Sequence, residues 1–352
     1  MKLCYFIKGE EMKDNFSSKK PTLKDVAKKA GTSVTTASIV LSKANDYERI
    51  SLKLREKIEK TALSLGYQAN YVAKALRQQQ TMQIGLVIPN MSHPYMPLLI
   101  RGTGEVAKEE GYNLILMNLT DLNTEEAKES IKKLKNSSAV DGLIIQSMAN
   151  ELSSATHNMK TVYIDDHHAT PSVSFGPDDA AYKLTEMFAF RGIKDIALIN
   201  ANSKRDTFIL REEGYKKALK DFGLPFNSEL VCRVSPNLEG GIKACEWLLS
   251  LPIRPSAIVV ATDVIAHSLL LKMISAGIKV PDEIAIASID DVELSSVLVP
   301  SLTCMHVDAH EIGKRAAKIL INMINGENME GHIETIPARL IIRESSAKQR
   351  EE

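Results

Sequence analysis

The sequence predicts an α/β protein: a small helical head, then a larger body of parallel sheet. Three observations predict it. From Met82 onward, apolar runs of strand length alternate with amphipathic helical stretches, the pattern of strands joined by crossover helices. Those runs are apolar nearly throughout, as strands covered on both faces must be. Residues 1–80 carry 16 Lys/Arg against 8 Asp/Glu, so the head is +8 and the remainder −8 in a chain of net charge zero. A basic head on an acidic body points to a polyanionic partner for the head alone.

Residues 1–20 are polar and read as a disordered extension, with Met12 as an alternative start. "TLKDVAKKAG" opens with Thr22 as N-cap and Asp25 three residues on, a capping-box start. It keeps Leu23, Val26, Ala27 and Ala30 on one face and stops at Gly31. "SVTTASIVLS" follows, capped by Ser33. "SLKLREKIEKTALSLGY", capped by Ser51, repeats apolar residues at Leu54, Ile58, Ala62 and Leu65 and ends at Gly66. "NYVAKALR" predicts a fourth helix over 70–77, and "QQQT" leads into the body. There the predicted strands are "IGLVIP", "NLILMNL", "DGLIIQS", "TVYID", "DIALINA", "AIVVATD" and "EIAIASIDD". Seven or more such units form one large sheet or two stacked lobes. Ligands of such folds bind at the carboxyl ends of the strands.

No apolar run approaches the ~20 residues needed to cross a membrane. The start "MKLCYFIKGEEMKD" lacks the roughly 7–15-residue apolar stretch of an export signal. Cys4, Cys232, Cys245 and Cys304 have no metal or redox spacing and read as reduced thiols. A cytoplasmic protein is expected.

Two helices joined by the Gly-containing turn "AGTS" make a helix-turn-helix. On a 100° wheel the second helix groups Ala37, Val40 and Leu41, which suits burial. Thr35, Ser38 and Ile39 fall opposite, with Val34 and Thr36 at the edges. The second helix of this motif enters the DNA major groove by its N-terminal residues, so Val34, Thr35, Ser38 and Ile39 are expected to face base edges. Hydroxyls there can serve phosphates or bases, and apolar groups can meet thymine methyls.

The run from Thr22 through "NYVAKALR", then "IGLVIPNMSHPYMPLLIRG", "LREEGYKKAL", "PDEIAIASIDD", "LTCMHVDAHEIGKRAA" and "ARLIIRES", resembles the LacI/GalR family of bacterial transcription regulators. The resemblance extends from Thr22 to about Ser345. It implies a helix-turn-helix headpiece over 21–68, a hinge helix and linker over 69–81, and a core over 82–352. The core is expected to be two periplasmic-binding-protein-like lobes of parallel sheet, an N-lobe of about 82–175 and 303–335 and a C-lobe of about 176–302 and 336–352. Crossovers are expected near Phe175–Gly176, Ser301–Thr303 and Thr335–Pro337. The family implies a homodimeric regulator, of repressor type, on a pseudo-palindromic operator in double-stranded DNA. A tetramer is not expected, since no leucine heptads close the chain.

By resemblance, the DNA-binding residues are Thr22, Ser33, Val34, Thr35, Thr36, Ser38, Ile39 and Asn45 in the head, with Asn70, Ala73 and Leu76 in the hinge. Leu76 is the expected minor-groove wedge. Ala69 replaces the family's Pro before the hinge, which loosens its start. Ile39 replaces a frequent Arg, so guanine pairing is not expected there and a thymine methyl is the expected partner. Lys20, Lys24, Lys28 and Lys29 are expected to supply phosphate contacts.

The effector is expected between the lobes, on Tyr95, Met96, Asp165, Arg205, Thr207, Arg211, Thr262, Asp263 and Asp290. Asp165 and Asp290 each have a plainer reading as a helix cap, and Arg211 as a structural bridge. Thr262, Ser288 and Val307 depart from the family's usual Asn, Gly and Gln. Arg205 and Thr207 resemble the purine-responsive branch, but the stacking aromatic of that branch aligns near Pro236. A sugar or sugar derivative is therefore the expected effector, with a purine-type corepressor as the alternative. No catalytic residue, metal or cofactor is expected. "GTGEVA", residues 102 to 107, matches a dinucleotide fingerprint but lies about a dozen residues beyond its strand, inside a helix. "DDHH", Asp165 to His168, has no second ligand pair and reads as a solvated loop.

Overall fold

The computed structural model describes residues 21–42, 46–67, 80–119, 124–146, 149–166 and 169–347. The chain divides into two compact units, Met1–Gln79 and Gln80–Glu352.

Among its described residues the first unit holds three α-helices: α1 (Leu23–Ala30), α2 (Val34–Ser42) and α3 (Leu52–Leu65). The α1 capping box is complete: the Thr22 backbone N–H donates to Asp25 Oδ2 at 2.8 Å, and the Asp25 N–H returns to Thr22 Oγ1 at 3.4 Å. Gly31 stands at φ 68°, where a side chain would be strained, and turns the chain from α1 toward α2. Ser33 caps α2, its Oγ accepting from the Thr36 N–H at 3.0 Å. Ser51 sits at the N-cap of α3, but its side chain makes no capping bond, against expectation. Its carbonyl accepts from the Leu54 and Arg55 N–H groups instead. Val26, Ala27, Ala30, Ala37, Val40, Ile58 and Ala62 form the buried core. The predicted hinge helix lies outside the described residues.

The second unit holds two six-stranded sheets. In the first lobe the strands are β1 (Gln83–Ile88), β2 (Asn113–Asn118), β3 (Gly142–Gln146), β4 (Thr161–Ile164), β5 (Ser172–Ser174) and β11 (Ile333–Thr335), in the order β11-β5-β4-β3-β1-β2. In the second they are β6 (Ile196–Ala201), β7 (Val231–Val234), β8 (Ala257–Val260), β9 (Ala285–Asp290), β10 (Thr303–His306) and β12 (Arg339–Ile341), in the order β12-β10-β9-β8-β6-β7. Every pairing is parallel except β10 with β12. The helices are α4 (Tyr95–Glu109), α5 (Thr124–Asn136), α6 (Ala149–Thr156), α7 (Pro177–Phe190), α8 (Asp206–Asp221), α9 (Leu238–Ser250), α10 (Asp263–Ser275), α11 (Glu293–Val297) and α12 (Ala309–Ile324).

The chain passes between lobes after β5, after β10, and between β11 and β12. The second passage falls after His306, not at the expected Ser301–Thr303. Residues 303–306 run parallel to Ala287–Asp290 and antiparallel to Arg339–Ile341, and Leu302 and Cys304 are buried in the second lobe's core. The strand therefore belongs to the second lobe, and first-lobe structure resumes at α12.

"GTGEVA" lies within α4, where its glycine serves packing. A Cβ on Gly102 would stand 2.0 Å from the His310 carbonyl oxygen, and one on Gly313 would stand 2.4 Å from the Leu99 carbonyl oxygen. The two glycines let α4 and α12 meet backbone to backbone.

Candidate functional site

The helix-turn-helix presents a face of short side chains. Ala37 and Val40 are buried, and Leu41 packs against the same core. Val34 and Thr35 are exposed, and Thr36, Ser38 and Ile39 are half-buried. The Ser33 and Thr36 hydroxyls bond each other at 2.8 Å within the α2 cap. Thr22 Oγ1 is held at 2.7 Å by Asp25. Lys24, Lys28 and Lys29 are exposed along α1. Asn45, Asn70, Ala73 and Leu76, like Lys20, lie outside the described residues.

In the body, a cleft of about 600 Å³, counting the space open to solvent, lies between the lobes at the carboxyl ends of their strands. Eight of the nine expected effector residues line it: Tyr95, Met96, Asp165, Arg205, Thr207, Arg211, Thr262 and Asp290. So do Pro89, Asn90, His93, Gln146, Phe175, Phe208 and Pro236.

Asp165 follows β4 at φ 53°, and Asp290 ends β9 at φ 124°. A non-glycine residue at positive φ costs about 1–3 kcal/mol and persists where the surrounding structure compels it. Both strained carboxylates face one cavity, one from each lobe. Arg211 comes from the middle of α8. Its guanidinium donates through Nη1 to the Ala261 carbonyl and lies 3.5 Å from Asp290 Oδ1 through Nη2. It also lies 5.4 Å from the Phe175 ring centre and 5.2 Å from that of Phe208, within cation–π range. Its Nε is buried and has no hydrogen-bond partner among the described residues.

A hydrogen-bonded chain crosses the cleft. The Tyr95 N–H donates to His93 Nδ1 at 3.3 Å, which leaves the proton of a neutral ring on Nε2. Thr262 Oγ1 donates to Asp290 Oδ2 at 2.6 Å, so it accepts from His93 Nε2 at 3.1 Å. Burial lowers the His93 pKa, and Arg211 and Arg205 lower it further against the pull of Asp290; the neutral tautomer fits this pattern. Burial raises Asp165 to about 7, with Arg211 the main opposing influence. The acid form of Asp165, a donor where the carboxylate only accepts, is thereby brought toward neutral pH. Asp165 accepts from the Tyr95 hydroxyl and the Phe175 N–H, each at 3.4 Å, and burial pushes the Tyr95 pKa up.

Asp263 is the exception among the expected effector residues. It is fully buried and absent from the cavity lining. Its carboxylate accepts from Ser288 Oγ, from Ser295 Oγ at 2.6 Å, from the Val292 N–H at 2.8 Å and from Cys304 Sγ at 3.5 Å. It ties α10 to β9 and α11, leaving no oxygen for a ligand. Burial and the nearby Asp290 raise its pKa.

Sequence reasoning missed His93, Phe175, Phe208, Gln146 and Asn90. Phe208 is three residues before Arg211, hence on the same helix face, and Gln146 ends β3 where such ligands bind. Both signals were present. Of "DDHH", Asp165 and Asp166 are buried after β4, and His167 and His168 lie outside the described residues.

Residues 22–70 match the family described as bacterial regulatory proteins, lacI family, and residues 185–346 match the periplasmic binding protein-like domain. The chain is 30% identical over 342 residues to the HTH-type transcriptional regulator RegA of Clostridium saccharobutylicum, covering 92% of this chain and 99% of that protein. It is 30% identical over 333 residues to the NTD biosynthesis operon regulator NtdR of Bacillus subtilis strain 168, covering 93% and 100%. The solved lac repressor dimer bound to operator and the anti-inducer ONPF superposes with a TM-score of 0.84 at 25% identity, covering 94% of this chain and all of that one.

Proposed function

The chain belongs to the LacI family of bacterial regulatory proteins and is a DNA-binding transcriptional regulator; on that premise we propose that it is a repressor whose hold on a pseudo-palindromic operator is set by a sugar or sugar derivative in the interlobe cavity. The observation that carries the effector reading is the buried Nε of Arg211, which has no partner among the described residues, in a cavity walled by both lobes. A buried cationic donor without an acceptor is costly, and a ligand oxygen would satisfy it. Carboxylates at Asp165 and Asp290 suit vicinal hydroxyls, and the rings of Phe175 and Phe208 offer an apolar face to the carbons of a sugar.

The operator is read by α2 of two copies, as two half-sites. Exposed Leu271 on α10, and Val297 and Val299 at and beyond the end of α11, supply apolar surface for the second copy. Control follows as a shift in population: a ligand that binds one arrangement of the lobes more tightly favours it, and operator affinity changes by the same coupling. No chemical step is required, so neither a catalytic residue nor a cofactor enters. No helix among the described residues is long and apolar enough to cross a membrane; the protein acts in the cytoplasm, where its DNA lies.

The test is a thermal-shift screen of the full chain against sugars, sugar derivatives and nucleobases, repeated with Arg211→Ala. A ligand at 100 times its Kd adds about 2.7 kcal/mol of stability. At least one sugar is expected to raise the midpoint of the native chain and to raise the variant's far less at the same concentration. A response to nucleobases alone would select the purine-type alternative, with Phe208 as its stacking face. A sugar that stabilises both proteins equally would place the site elsewhere.

A further inference from the structure

The reading face of α2 has an unusual chemistry. From Val34 to Ser42 there is no charged and no amide side chain. Guanine and adenine are distinguished in the major groove chiefly by bidentate pairs with Arg, Lys, Asn or Gln, and this stretch has none of them. Its outward residues fall in two adjacent rows of i, i+4 neighbours: Val34 beside Ser38, and Thr35 beside Ile39. Each row holds one aliphatic residue and one hydroxyl. The Ser33 and Thr36 hydroxyls are engaged in the cap, which leaves Thr35 and Ser38 as the hydroxyls of this face.

A hydroxyl donates or accepts with equal ease. It therefore pairs with the O4 acceptor of thymine and with the N4 donor of cytosine, and scarcely separates them. What this face separates well is the presence or absence of a C5 methyl group, which Val34 and Ile39 cover in van der Waals contact.

We propose that α2 is a methyl reader: Val34 and Ile39 select pyrimidines carrying a C5 methyl, so that thymine and 5-methylcytosine are accepted alike and uracil and unmodified cytosine are both disfavoured. This rests on the DNA-binding reading above and adds the chemical feature recognised. It also makes operator affinity responsive to cytosine methylation at the contacted positions.

The experiment selects binding sites from random duplex DNA with the full-length protein. It then measures Kd at one salt concentration for four versions of the enriched site, with T, U, C or 5-methylcytosine at the pairs whose preference Ile39→Ala alters. From the free energy of burying one methyl-sized group, T and 5-methylcytosine are expected to bind about 4-fold tighter than U and C per half-site, and about 15-fold tighter when both half-sites are changed. Ile39→Ala is expected to level the four affinities while keeping the salt dependence, and Ile39→Val to retain most of the discrimination. U binding as tightly as T overturns the proposal while leaving the regulator reading intact. So does an Ile39→Ala variant that selects the same sites and keeps the native preference at every position. Failure to enrich any sequence overturns both.

Discussion

In each lobe of the body a parallel sheet delivers an aspartate to the cavity at positive φ, Asp165 from the first lobe and Asp290 from the second, yet the two walls are finished differently. The second lobe pairs its charges internally: Asp290 lies against Arg211 and Thr262, and Asp263 beneath them gathers Ser288, Ser295 and the Val292 N–H. The first lobe gives Asp165 neutral partners, the Tyr95 hydroxyl and the Phe175 N–H, and burial then raises it to about 7. One wall sets its carboxylates in a hydrogen-bonded frame that includes a cation, the other offers a single carboxyl among neutral donors. His93 and Thr262 join them across the gap. A shared topology therefore does not dictate a shared chemistry: under the proposed function the second lobe anchors the ligand and the first adapts to it.

Substitutions in the anchoring wall should be the most damaging. Arg211→Ala leaves Asp290 buried without its cation, and such truncations cost about 3–5 kcal/mol. The expected result is a drop in ligand affinity on the order of 100-fold, read by calorimetry, together with a lower urea midpoint. Asp263→Ala should lower stability by a similar amount, about 3 kcal/mol, through its orphaned donors. Its ligand affinity at a temperature where it stays folded should change far less. If Asp263→Ala instead lost ligand binding as completely as Arg211→Ala, the frame and the anchor would not be separable.

The adapting wall should announce itself through pH. Asp165 has a folded pKa of about 7 against an ordinary value of 3.8, so the folded state holds this proton more tightly than the unfolded chain. The stabilisation is complete below about pH 3.8 and is lost as pH rises through about 7. Asp165→Asn keeps an acceptor and removes the titration. Its thermal midpoint should fall less steeply than the parent's between pH 4 and 7, with Asp263, shifted in the same direction, supplying part of the remaining slope. An unchanged slope would mean that Asp165 is ionised throughout.

The smallest effect is expected at the join. Thr262→Val removes both an acceptor for His93 and a donor to Asp290, at about 1 kcal/mol per lost bond. A several-fold change in ligand affinity is expected. No change would show that the lobes meet through the ligand alone.

Much of this was legible in the residues. The seven apolar runs became β1, β2, β3, β4, β6, β8 and β9, because three or more consecutive apolar residues between helical stretches leave a clear trace. Strands β5, β7, β10, β11 and β12 span three or four residues, too few for periodicity alone to mark them, and their place is set by pairing with distant segments. The misplaced second crossover has the same cause. Eight of nine expected effector residues line the cavity since they end strands or share one helix face. Asp263 stands at such a position too, but whether its carboxylate turns toward the cavity or the frame depends on Ser288 and Ser295, and only folding brings those together. Thr262 and Ser288, departures from the family pattern, have structural explanations: one bridges the lobes and the other holds Asp263.

The most direct measurement is operator affinity of the full-length protein with and without a cavity ligand identified by the thermal-shift screen, in the native chain and in Arg211→Ala. A change of about 5-fold or more in the native chain is expected, since coupling of this kind spans roughly 5–150-fold, with none in the variant. An operator Kd unmoved by a ligand that binds the native cavity, or moved equally in Arg211→Ala, would contradict control of the DNA-binding head from this site.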